Sequence, residues 1–158
     1  MFLKMPNTNL NHKKVDLLKP TLIFTVVGLF IPGFTAVGLF GLQMLLSSLG
    51  LECVNAWILL WTITIVGGIV LPILFYKYLK TLTEIKRAHL KTRLTFFNLF
   101  EYIFIQASLV PFFADAQTLC SVSDGQNGLE FVFTAWIALP FLIGLSYFFN
   151  QNMELENI

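Results

Sequence analysis

The residues best suited to do chemistry form a polar stripe inside an apolar segment. Asn98, Glu101 and Ser108 follow one another at intervals of three and seven residues, which places them on one face of a helix. Gln106 belongs to the same segment but lies off that face. A carboxylate in hydrocarbon costs about 2.5–3.5 kcal/mol, so an intramembrane acid is a functional hypothesis by default. The stripe predicts a site for a ligand, a proton or a partner helix.

The same stripe also fits a structural role. Hydrogen bonds from these side chains would hold neighbouring helices together, with the Glu101 carboxyl protonated among them. A further alternative is that the apolar segment begins later, which would leave Glu101 near the membrane interface. The sequence leaves these alternatives open.

The two cysteines are the other candidates for chemistry. Cys53 and Cys120 lie in two different polar loops that we expect on the outer side of a membrane. That side is oxidising in a periplasm or a secretory lumen, so one disulfide tying the loops is a reasonable hypothesis. The alternative is two free thiols that behave as small hydrophobic groups. A disulfide-exchange enzyme needs a vicinal cysteine pair, and this chain has none.

The sequence contains no recognisable catalytic motif. Nucleotide-binding loops, Ser–His–Asp arrangements and His–Glu metal motifs are absent from it. His12 and His89 are isolated and lie outside the apolar segments, whereas an intramembrane haem would need histidines within them. We therefore expect no enzyme, no catalytic residue, no metal and no cofactor; a membrane enzyme stays an alternative only through Glu101.

Composition determines which elements position these residues. The chain has 158 residues, of which 56% are hydrophobic and only 12% charged, and its mean hydropathy is +0.76. So few charges cannot cover the surface of a water-soluble domain, whereas about 20 apolar residues suffice to cross a bilayer as a helix. The sequence predicts an all-α, four-transmembrane-helix bundle in one domain, residues 20–158. The spans are expected at 21–46, 56–75, 94–113 and 131–149.

Charge distribution predicts the orientation of the bundle. All ten Lys and Arg residues fall within 4–19 and 77–93, and basic residues in short loops stay on the cytoplasmic side. Segment 1–19, loop 77–93 and tail 150–158 are therefore expected inside the cell, and loops 47–55 and 114–130 outside. The loop 77–93 is predicted to be an amphipathic helix or an extension of the second span. Its basic residues are expected to contact anionic lipids: Lys77, Lys80, Lys86, Arg87, Lys91 and Arg93.

Glycine and proline residues mark the expected kinks and close helix contacts. The first span has 26 residues, more than a bilayer needs, and Pro32 with Gly33 is its predicted kink because proline removes a backbone hydrogen bond. Small residues let helices in lipid approach closely, either within this chain or against a partner. The candidate positions are Gly28, Pro32, Gly33, Gly67, Gly68 and Pro72.

The function expected from these features is non-catalytic. The chain would act through helix–helix contacts in the bilayer, as an accessory subunit of a membrane complex or as an inhibitor or immunity-type partner of another membrane protein. The alternative is a small transporter, channel or lipid-binding protein that uses the polar stripe.

Expected partners are membrane lipids and either a protein partner or further copies of the chain. A net charge of +1 argues against nucleic acid, and short loops with Asn-, Lys- and Phe-rich usage favour a bacterial inner membrane.

Overall fold

The described part of the protein consists of helices. A computed structural model of the chain describes residues 16–30, 33–81, 89–113, 120 and 129–155. Within these residues every regular element is helical, which confirms the all-α prediction. In these described ranges, three helices are long and apolar enough to cross a membrane. The elements are α1 (Leu18–Phe30), α2 (Gly33–Ser48), α3 (Cys53–Lys80), α4 (Leu90–Leu109) followed by a 3₁₀ turn (Val110–Phe112), and α5 (Leu129–Leu155).

The first apolar stretch differs from the prediction of one helix over 21–46. It forms two shorter helices, α1 with 13 residues and α2 with 16. The described part of α1 ends at Phe30 and that of α2 begins at Gly33. A proline lacks the amide hydrogen that a continuing helix requires, and its ring clashes with the preceding turn. Ile31 and Pro32 themselves lie outside the described residues, so the predicted kink at Pro32 stays a prediction.

Hydrogen bonds to a side chain at one end and within the backbone at the other define the two ends of this α1–α2 segment. Asp16 caps α1, because its Oδ1 accepts hydrogen bonds from the backbone amides of Leu18 at 3.0 Å and Lys19 at 3.2 Å. After α2, the amide of Leu51 donates to the carbonyl of Leu46 at 3.2 Å. Gly50 has a φ of 95° between them, a conformation that glycine adopts without steric cost. The chain therefore turns sharply into α3.

The other three spans are longer than the sequence predicted. α3 has 28 residues and contains Pro72, α4 continues into the 3₁₀ turn, and α5 has 27 residues. The extension of α3 to Lys80 takes up the first part of the basic loop, in agreement with one of the two alternatives for that loop. Residues 82–88 lie outside the described residues, as do most of 114–130.

Two apolar clusters at opposite ends of the bundle show how α1 and α2 are placed. One cluster packs Leu17, just before α1, against Leu79 and Leu90, where α3 ends and α4 begins. The other packs Leu39 of α2 against Trp57, near the start of α3, and Val110. α1 and α2 thus lie at opposite ends of the bundle and follow each other along its length.

Candidate intramembrane polar site

Three of the four polar residues predicted as a site on α4 are fully buried. The exposed fraction is 1% for Asn98, 1% for Glu101 and 0% for Gln106. A polar group without a hydrogen bond in such surroundings costs free energy, so its partners determine what the site can do.

Asn98 joins α4 to α1 through a chain of hydrogen bonds. Its Nδ2 donates to Thr21 Oγ1 at 3.1 Å, and Thr21 Oγ1 donates to the backbone carbonyl of Leu17 at 3.0 Å. Ser146 Oγ of α5 donates to the same carbonyl at 2.9 Å. Three helices therefore meet in one buried polar network around the start of α1.

Glu101 lies beside α3, where the two helices approach closely. A Cβ atom placed on Gly68 would be 4.0 Å from Glu101 Oε1, and one placed on Gly67 would be 2.7 Å from Phe104 Cε2. A larger residue at Gly67 would collide with the Phe104 ring of α4, whereas a Cβ atom on Gly68 would make ordinary van der Waals contact. Gly67 therefore lets α3 pack closely on α4 beside the turn that carries the carboxyl.

Three buried polar atoms of this turn have no hydrogen-bond partner among the described residues. They are Asn98 Oδ1, Glu101 Oε2 and Tyr102 Oη. The Tyr102 ring, which is 3% exposed, packs edge-to-face on Phe24 of α1 with ring centroids 6.1 Å apart. The unpaired atoms thus lie within little more than one turn of α4, on side chains that are buried.

Ser108 does not belong to this turn. It is half-buried, and its hydroxyl donates to the carbonyl of Ile105 in its own helix at 2.8 Å. Its backbone carbonyl accepts a hydrogen bond from Trp61 Nε1 of α3 at 3.2 Å. Ser108 thus links helices through its backbone, whereas Gln106 is fully buried two turns beyond Asn98.

Sequence reasoning missed Thr21, Ser146 and Tyr102. Thr21 and Thr25 are one turn apart at the beginning of the first apolar stretch, and both are buried. Their spacing forms a small polar face that the sequence could have revealed. Ser146 is the only serine in the last apolar stretch. Tyr102 follows Glu101 directly, and adjacent residues point to different sides of a helix. Helical spacing therefore did not include Tyr102 in the predicted polar face.

A disulfide joins Cys53, at the start of α3, to Cys120. Their Cα atoms are 5.9 Å apart. Gln43 of α2 donates its Nε2 to Cys53 Sγ at 3.0 Å. The disulfide therefore lies at the end of the bundle where α2 packs on α3.

The basic residues occupy the opposite end of α3. Lys77 and Lys80 are in its last turn, and Lys80 Nζ lies 4.8 Å from the ring centroid of Tyr76. The guanidinium of Arg93, in the first turns of α4, lies 4.7 Å from the ring centroid of Tyr78. Lys91 is exposed on the same turn. Lys86 and Arg87 fall outside the described residues.

The other predicted positions have separate surroundings. A Cβ atom on Gly28 would be 3.0 Å from Leu139 Cδ2, so α1 packs closely on α5 there, and Gly33 begins α2. No group of three His, Cys, Asp or Glu residues that could hold a metal ion occurs in the part of the chain that the structure describes.

Comparisons with protein-family models, with curated proteins and with solved structures found no match to this chain.

Proposed function

We propose that this protein is a non-catalytic, four-span membrane protein that acts by binding the transmembrane helix of another membrane protein. It would serve as an accessory subunit or as an inhibitor of that partner. The observation that carries the proposal is an open apolar groove on α5. The groove surrounds an exposed glycine, and its lining is Pro140, Phe141, Gly144, Leu145 and Phe148.

The use of glycine within the bundle supports a partner at this groove. Gly28 and Gly67 each face a side chain of a neighbouring helix within 3.0 Å of a Cβ position, so internal packing explains both. A Cβ atom on Gly144 would meet nothing within 4 Å, as is also true of Gly38 and Gly41 in α2, and Gly144 lies within the apolar groove. Glycine in a helix costs up to about 1 kcal/mol relative to alanine, and in membranes small residues occur where another helix approaches closely. We therefore expect a helix of the partner protein to pack against Gly144, as Leu139 of α5 packs against Gly28.

A four-span topology is supported by the placement of α1 and α2. Each is too short to cross about 30 Å of hydrocarbon alone, since 13 and 16 residues extend roughly 20 and 24 Å. Placed one after the other along the bundle, they supply one composite span. Together with α3, α4 and α5 this makes four crossings.

Two independent rules support cytoplasmic termini. The basic residues cluster where α3 ends, and positive charge in short loops stays inside. The disulfide lies where α3 begins, and disulfides persist in oxidising compartments outside the cytosol. The 28 residues of α3 separate these ends by roughly 40 Å. In a bacterium the corresponding location is the inner membrane.

The experiment is a matched pair of glycine substitutions. Gly144→Leu fills the α5 groove, and Gly38→Leu adds the same side chain to α2 at a site where a Cβ atom also meets nothing within 4 Å. After mild detergent extraction, a protein that co-purifies with wild type and with Gly38→Leu should be lost from Gly144→Leu. Equal recovery of that protein with both variants, at equal expression, would refute the groove as the docking site.

A further inference from the structure

Two acceptor oxygens lie one helical turn apart on α4 with no donor between them. Asn98 Oδ1 and Glu101 Oε2 are both buried, and neither has a hydrogen-bond partner in the ranges that the structure describes. Side chains three residues apart on a helix have Cβ atoms about 5–6 Å from each other. An amide oxygen and an ionised carboxylate can only accept, so neither can satisfy the other.

The orientation of the Asn98 amide follows from its partner. Thr21 has a single hydroxyl hydrogen, and it is donated to the Leu17 carbonyl at 3.0 Å. Thr21 Oγ1 can therefore only accept from Asn98, so the amide nitrogen must face it, at 3.1 Å. Turning the amide over would place two acceptors against each other. Asn98 Oδ1 consequently needs a donor from another direction.

Among the residues that the structure describes, the carboxyl has no cationic partner at its level in the membrane. The chain has no Lys or Arg from 20 to 76 or from 94 onward, and Arg93 precedes Glu101 by more than two helical turns, with its guanidinium over the Tyr78 ring. On the helices that pack against α4, charged residues occur only in terminal turns: Lys19, Lys77, Lys80, Glu130 and Glu154. Tyrosines of those helices lie towards the basic end: Tyr76, Tyr78 and Tyr147. The adjacent Tyr102 is the titratable neighbour in the same turn.

We propose that Glu101 binds a proton in the membrane interior, carried on Oε2 and donated to Asn98 Oδ1. One hydrogen atom then satisfies both unpaired oxygens and removes an uncompensated charge from a low-dielectric site. A metal cation fits less well, because hard cations require six or more oxygen ligands and this turn offers few. The site is independent of the α5 groove and of any partner.

Infrared spectroscopy of the purified full-length protein in lipid, at neutral pH in D₂O, tests this assignment. We expect a carboxylic-acid C=O band in wild type that is lost in Glu101→Gln. In Asn98→Val the band should move to the higher frequency of a carboxyl without a hydrogen bond. Glu52→Gln, which alters an exposed carboxyl just before α3, should leave the band unchanged.

Two results would overturn the proposal. One is a wild-type spectrum with carboxylate absorption only, and the other is an acid band that persists in Glu101→Gln. Because the wild-type spectrum and the Asn98→Val shift are informative by themselves, the test does not require Glu101→Gln to fold. Failure here leaves the docking proposal untouched, since that experiment involves only Gly144 and Gly38.

Discussion

Gly67→Ala should destabilise the bundle although it adds one methyl group to a mostly lipid-facing helix. The new Cβ atom would lie 2.7, 2.8 and 2.9 Å from three ring atoms of Phe104, closer than carbon atoms pack. The ring must move or α3 must separate from α4. Overpacking of this kind costs typically about 1–3 kcal/mol. Gly41→Ala is the matched control, because a Cβ atom there meets nothing within 4 Å and alanine favours the helix.

The assay is reversible unfolding in mixed micelles, followed by helix content, for Gly67→Ala and Gly41→Ala in wild-type and Phe104→Leu backgrounds. Leucine at 104 removes the ring atoms that the new methyl group meets, so most of the loss caused by Gly67→Ala should disappear there. The expected coupling free energy between positions 67 and 104 is about 1 kcal/mol or more. Equal stability of Gly67→Ala and Gly41→Ala, or a Gly67→Ala loss unchanged in Phe104→Leu, would refute close α3–α4 packing.

Three further predictions concern the network, the disulfide and the orientation. Ser146→Ala removes the hydrogen bond from α5 to the start of α1 and should cost about 0.6–1.7 kcal/mol in the same unfolding assay; an unchanged stability would contradict the network. Reduction of Cys53–Cys120, which closes a loop of 67 residues, should lower the free energy of unfolding by about 4 kcal/mol, measured with and without reductant. In intact cells, an impermeant maleimide should label Leu49→Cys but label Thr81→Cys only after permeabilisation, and the reverse pattern would invert the proposed topology.

Helix type and location were predictable from the sequence because they depend on composition. A long apolar segment in lipid must be helical, so α3, α4 and α5 were located to within a few residues at most ends.

The division of the first apolar stretch into α1 and α2 was only partly predictable. Pro32 and Gly33 indicated a kink, but whether a proline bends a helix or ends it depends on the packing of both halves. That packing involves residues distant in sequence, such as Leu17 with Leu79 and Leu39 with Trp57.

The polar site was also predictable in part, because polar residues can be recognised from composition. Glu101 and Asn98 stand out because polar residues are rare in apolar segments, and helical spacing correctly placed them on neighbouring turns. Their partners were not predictable. Thr21 is 77 residues from Asn98, and threonine hydroxyls in membrane helices commonly bond their own backbone. Helical spacing also could not show that the Ser108 hydroxyl is used within its own helix.

The proposed proton site and the docking of α1 depend on the same amide. Asn98 offers Nδ2 to Thr21 at 3.1 Å and Oδ1 to the proton on Glu101, so both ends of the side chain are used at once. Loss of the proton would leave both buried oxygens without a donor, and an unpaired buried polar group costs about 1–3 kcal/mol. Turning the amide to relieve this would break the bond to α1. The α3–α4 contact does not depend on that amide, since it includes stacked rings of Phe75 and Phe97 with centroids 4.2 Å apart. It follows that α1 is the helix whose position should respond to the protonation of Glu101.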